Sequence, residues 1–178
     1  MASDGRRARK PLPRGRKAEA AVNDVEIMVA AFNTLTSNPR ASMAEIAACA
    51  DVGVASLYRR YPTRQTLVHQ LCLRAMDSIA AAADACVHRL DDQDAEPWPE
   101  FLAFLSSALA DGAGAMRALA GTFHADAELA RAAAQMNAEI GKVLALTQAR
   151  GAVRADVTAA DITQFFEMLR AIRIGDRR

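Results

Sequence analysis

The side chains with the most chemical potential in this chain do not pair up for catalysis. The three histidines, His69, His88 and His124, fall on different segments, and none sits in a zinc or hydrolase pattern. No glycine-rich phosphate loop is present. Cys86 and His88 lie two positions apart, too close to share a helix face. Cys49, Cys72 and Cys86 are odd in number and lack metal-ligand spacing, so they read as reduced thiols, and neither a metal nor a cofactor is expected. An enzyme is therefore not expected. What stands out is a run of small and then basic residues: Val54, Ala55 and Ser56, followed by Tyr58, Arg59, Arg60, Tyr61 and Arg64. Small side chains let a backbone approach base edges; Val54 and Ala55 suit thymine methyls, and Ser56 can donate or accept. The arginines and tyrosines can reach phosphates, which fix register and carry the salt-sensitive part of affinity.

Such residues must stand on a short helix that projects from a small head, and the surrounding pattern supplies one. Val25, Met28, Phe32 and Leu35 form a stripe on a first helix capped at Asn23 or Asp24 and stopped by Asn38 and Pro39. Ser42 opens a second helix with Glu45 three residues on, a capping box; Met43, Ile46 and Ala47 turn inward. Ser42, at the front of that helix, is also counted among the DNA-facing candidates. A tight turn over 50–53 leads into a third helix, with Leu57 on its apolar side. Tyr61-Pro62 closes it, because a residue before proline avoids the helical region. Thr63 caps a long fourth helix carrying Leu67, Leu71, Met76 and Ile79 and reaching about Leu90. Two short helices around a tight turn suit a helix-turn-helix, with the second helix free to enter a major groove.

Charge is distributed accordingly. Through Arg64 there are 11 Lys and Arg against 6 Asp and Glu, a balance of +5, while the remainder carries −4, within an overall +1. A basic front on an acidic body fits a polyanion binder with a second function behind it. Residues 1–21 read as a disordered basic arm. Within it, Pro13-Arg14-Gly15-Arg16-Lys17 resembles the centre of an AT-hook, in which Arg14 and Arg16 would lie in a narrow minor groove; the plainer reading is loose phosphate contact.

Beyond the fourth helix, 91–97 is an acidic linker, and helices are expected at about 98–112, 114–123, 126–150 and 158–174. Hydrophobic residues make up 52% of the chain, but alanine supplies much of that and aromatics only 5%, which favours helices packed through small side chains. The expected fold is all-α, with a head over 22–66 and a helical body over 67–178. No apolar run approaches the roughly 20 residues of a membrane span, and the basic N-terminus is not followed by the apolar stretch of a secretory signal. A cytoplasmic protein is expected.

The stretch from Val25 to Val68 resembles the DNA-binding region of the tetracycline-repressor-like (TetR) regulators. The resemblance is carried by Ser56-Leu57-Tyr58-Arg59-Arg60-Tyr61-Pro62-Thr63-Arg64-Gln65-Thr66-Leu67, in register with the preceding turn. Asp51 stands where that family usually has glycine, Gly53 replaces the usual Ser or Thr cap, and Gln65-Thr66 replaces Glu-Ala. The resemblance implies a repressor that dimerises two-fold on a near-palindromic operator and is released when the body binds a small molecule. It points to Trp98, Phe101, Phe104, Leu105, Met116, Phe123, Met136 and Phe165 as apolar pocket candidates, with His124 as the polar one. It also implies that a helix with Phe165, Phe166, Met168, Leu169 and Ile172 helps form the dimer. Two other readings remain: a non-specific architectural DNA binder, and a regulator that answers to no ligand.

Overall fold

The computed structural model describes residues 14–110 and 126–175, and in these the chain forms seven α-helices and no strand. They are α1 (Arg14–Ser37), α2 (Met43–Cys49), α3 (Val54–Arg60), α4 (Arg64–Leu90), α5 (Pro97–Ala110), α6 (Ala127–Ala149) and α7 (Ala159–Gly175). The expected helix at 114–123, with Met116, Phe123 and His124, lies outside the described residues.

One expectation is corrected at the front of the chain. Residues 14–21, read as part of a disordered arm, belong to α1. Lys17-Ala18-Glu19-Ala20-Ala21 is a run of strong helix formers, and local propensity outweighs the glycine at position 15. Arg14 and Arg16 therefore stand on the first turn of a helix rather than on an extended strand. The inward stripe of α1 is corrected at one position, since Met28 and Leu35 are buried and Phe32 packs against the core as expected but Val25 does not. Val25 is exposed, whereas Asp24, Met28, Ala31 and Leu35, at helical steps of four, three and four, face the neighbouring helices.

Two apolar cores hold the molecule. The first joins Ile27, Met28, Ala31 and Leu35 of α1 to Met43, Ile46 and Ala47 of α2, Leu57 of α3, and Leu67, Val68, Leu71 and Cys72 of α4. Leu129, at the start of α6, also belongs to it. The second joins Ala75, Ile79, Ala83, Cys86 and Leu90 of α4 to Phe101, Phe104, Leu105 and Ala108 of α5, Ile140, Val143 and Leu144 of α6, and Ile162 and Phe166 of α7. A single stripe along the 27 residues of α4 thus serves both cores, and Met76 packs against each. The stripe repeats at three- and four-residue steps, so one straight helix can bury it throughout.

The acidic linker is tied down by one side chain. The Arg150 guanidinium, at the C-cap of α6, donates to the carbonyls of Leu90, Asp92, Gln93 and Ala95. Five fixed donors make arginine suited to collecting carbonyls from a chain that turns around it. Burial pushes the Cys72 thiol up to about 11. Cys86 is raised too by burial, and all three cysteines are unbridged. Among the described residues no helix is long and apolar enough to cross a membrane.

Candidate nucleic-acid interface

The head is assembled by local chemistry at each helix end. At α2, Glu45 N–H donates to the Ser42 hydroxyl (3.2 Å), and Ser42 N–H donates to the Glu45 carboxylate (2.7 Å), completing the capping box. Backbone and hydroxyl donation from Ser42 hold the Glu45 carboxyl below its ordinary range. Ser42, a DNA-facing candidate from sequence, is exposed but has its hydroxyl committed here.

The turn after α2 is a Schellman closure. Val52 N–H donates to the Ala47 carbonyl (3.0 Å) and Asp51 N–H to that of Ala48 (3.3 Å). This geometry requires a left-handed residue, and Asp51 adopts it with φ of 52°. Aspartate tolerates that region better than most residues, so the turn forms without glycine. Gly53 then caps α3 through its backbone alone.

α3 has one buried residue, Leu57, driven fully into the head core. Every other position on it faces out. Val54 is 39% and Tyr58 47% exposed, and Ala55, Ser56, Arg59 and Arg60 are exposed as well. Arg59 reaches back to donate to the Ser56 hydroxyl (3.2 Å), placing a cation beside the small-residue face. The helix therefore offers a ridge of small side chains flanked by an aromatic and a cation, the shape a major groove accepts.

Two residues expected to contact phosphates are engaged within the head. Tyr61 is buried at 6% exposure, and its hydroxyl donates to Asp24 (2.6 Å), which takes the phenol away from any phosphate. Tyr61 follows the C-terminus of α3, where the backbone is extended. Arg64 donates to the carbonyls of Ala41 (3.2 Å) and Pro39 (2.5 Å), strapping the α1–α2 connection to α4.

From sequence Asp24 reads only as a helix cap and Arg74 draws no attention; in the structure both are central. Asp24 accepts from Tyr61, pairs with Arg60 (2.6 Å) and pairs with Arg74 (3.0 Å), joining α1, α3 and α4 at one carboxylate. Burial works to raise its pKa, but the Tyr61 and Arg60 hydrogen bonds and the charges of Arg60 and Arg74 outweigh that and hold it below the ordinary value. The same contacts raise Arg60, and burial with the adjoining carboxylate raises Tyr61. A legible signal existed: an acidic residue on an apolar stripe needs partners.

Among the described residues, the pocket candidates of the body are divided between core and surface. Phe101, Phe104 and Leu105 are buried in the second core, with Phe101 and Phe104 rings 6.3 Å apart, and Met136 packs at its edge. Trp98 and Phe165 are largely exposed. A groove between α4 and α6 is lined instead by Asp77, Ala80, Ala81, Asp84, Gln135 and Glu139, which include none of the candidates. Phe101 and Phe104 have gone into core packing, as alanine-rich helices offer little other bulk.

The chain is similar to known proteins. Residues 93–174 match the family described as transcriptional regulator SbtR-like, C-terminal domain. The chain is similar to the TetR transcription regulatory protein from Mycobacterium vanbaalenii, at 28% identity over 89% of this chain and 95% of that one, with a TM-score of 0.56. It shares its fold with the TetR family transcriptional regulator PfmR from Thermus thermophilus, at 14% identity over 85% and 86% of the two chains, with a TM-score of 0.57. Among curated proteins, none matches.

Proposed function

We propose that this chain is a transcriptional regulator of the tetracycline-repressor-like (TetR) family, to whose members it is similar, and that it reads a near-palindromic operator as a homodimer, acting as a repressor. The observation that carries the reading is α3, whose only buried residue is Leu57 and whose remaining side chains are exposed. Val54, Ala55 and Ser56 face base edges, while Tyr58 and Arg59 contact phosphates. Arg60 contributes charge from the end of the same helix while paired to Asp24. Arg14 and Arg16, at the start of α1, add phosphate contacts.

Dimerisation through α7, where Phe165 and Met168 expose apolar surface, sets two α3 helices about one DNA turn apart. Release of the operator follows from a small molecule bound in the body, transmitted along α4, which belongs to both cores. The protein works in the cytoplasm.

The test is selection of an operator from random DNA, followed by affinity for that site and for a scrambled duplex at one fixed salt concentration. A specific site should bind at least about 10³-fold more tightly than scrambled DNA. A ratio below about ten overturns the reading in favour of an architectural DNA binder.

A further inference from the structure

Where α4 leaves the head, three side chains from two helices converge on one point. His69, on the second turn of α4, places Nε2 2.9 Å from an Asp126 carboxylate oxygen and 3.9 Å from a Glu128 carboxylate oxygen. The three ligand atoms all lie within 4.8 Å of one another. Atoms bound at about 2.1 Å around a tetrahedral zinc ion are separated by about 3.4 Å, a value that the two measured separations straddle.

Two features prepare the cluster for a cation. The other Asp126 oxygen is held by the backbone N–H groups of Glu128 (3.1 Å) and Leu129 (2.9 Å), so the carboxylate cannot swing away and its second oxygen is presented to His69. Orientation of a ligand by a partner behind it is the usual support of a metal site. In addition, two carboxylates face one imidazole, and among the described residues neither is paired with a lysine or arginine.

We propose that His69, Asp126 and Glu128 form a binding site for a first-row divalent metal ion, with water completing its coordination. One imidazole and two carboxylates suit zinc and its neighbours and are a poor match for magnesium, which favours oxygen ligands and retains its water. The ion is held through the Nε2 lone pair, with the ring proton on Nδ1. It ties the start of α6 to α4 beside Leu129, which is part of the head core. Spacing alone gives no hint of the site, because His69 and Asp126 are 57 positions apart. The site stands independently of the DNA-binding reading.

The experiment uses the full-length, tag-free chain carrying Cys49→Ser, which removes an exposed thiol that would compete for metal. Zn²⁺ is titrated calorimetrically, Co²⁺ is followed by its visible absorption, and Mg²⁺ serves as the control. The expected result is one Zn²⁺ per chain, a raised Tm and Co²⁺ bands, with no response to Mg²⁺. His69→Ala and Glu128→Gln should each weaken Zn²⁺ binding by roughly tenfold or more. Glu128→Gln is decisive because it leaves the His69–Asp126 contact and the α6 cap in place. Absence of Zn²⁺ binding overturns the proposal, as does either variant binding as tightly as its parent.

Discussion

Head and body share α4 but are held by different means. In the head, each seven-residue helix is fixed by a polar device: the Ser42–Glu45 box for α2, and for α3 the Asp24 carboxylate acting through Arg60 and Tyr61. The Arg64 strap and the Asp51 turn complete the frame. In the body, helices of 14 to 27 residues pack mainly through apolar stripes, and most polar ties lie at their ends. A helix of two turns has too few internal hydrogen bonds to stand alone, and a groove reader must be placed accurately. Polar bonds have direction, so they set a pose that apolar packing leaves adjustable.

The sharpest way to break this contrast is to empty one buried site in each region. Leu57→Ala should cost about 3 kcal/mol, and Phe104→Ala about 3–5 kcal/mol, by cavity formation. Stability should thus fall at least as far for the body variant. DNA affinity, measured at a temperature where both variants remain folded, should fall steeply only for Leu57→Ala, since Leu57 is the sole buried residue of α3. Equal losses of affinity would erase the distinction.

Asp24→Asn comes next, with an expected loss of about 1–2 kcal/mol because two arginines lose their partner charge. The sign of its pH dependence is fixed by the depressed carboxyl. A group whose folded pKa lies below its unfolded value stabilises the fold fully above about pH 4. That contribution fades as the pH falls from there through the folded pKa. Acid unfolding followed by circular dichroism should show a shallower low-pH decline for Asp24→Asn than for the parent. An unchanged acid limb would mean that the hub does not govern the head.

The left-handed turn gives a smaller effect. Asp51→Val should destabilise by about 1–2 kcal/mol, and Asp51→Gly should be neutral or stabilising by up to about 1 kcal/mol. The same closure ends α6, where Gly151 has φ of 71° and Ala152 N–H donates to the Thr147 carbonyl (2.9 Å). Gly151→Asp should therefore be tolerated at a cost of about 1 kcal/mol or less, as Asp51 already is. Urea denaturation of the variants measures all three.

Much of the fold was legible because its signals are local. Ser42 with Glu45, Tyr61 before Pro62, and Thr63 ahead of α4 each declare a helix end within four residues, and the structure places those ends accordingly. The outward face of α3 followed from Leu57 being its one large aliphatic residue amid small and basic neighbours. What escaped was non-local. Asp24 meets Tyr61 across 37 positions and Arg74 across 50, and Arg64 meets the carbonyls of Pro39 and Ala41, which any sequence offers. In the body the aromatic stripe says only that something apolar is covered; core packing took Phe101 and Phe104 and left Trp98 and Phe165 exposed.

Arg59 and Arg64 show how that gap changes a prediction. From sequence alone both are phosphate contacts and interchangeable. In the structure Arg59 is exposed and hydrogen-bonds the neighbouring Ser56, whereas Arg64 holds two carbonyls across the head. Arg59→Ala should therefore leave urea stability within about 0.5 kcal/mol of the parent. It should also reduce the slope of log affinity against log salt by about one per head, on specific and scrambled DNA alike. Arg64→Ala should do the reverse, lowering head stability by about 1 kcal/mol through two lost hydrogen bonds while changing the salt slope less. If Arg64→Ala flattens the slope as much as Arg59→Ala does, its guanidinium leaves those carbonyls on binding, and the rigid frame drawn for the head yields to one that rearranges on DNA.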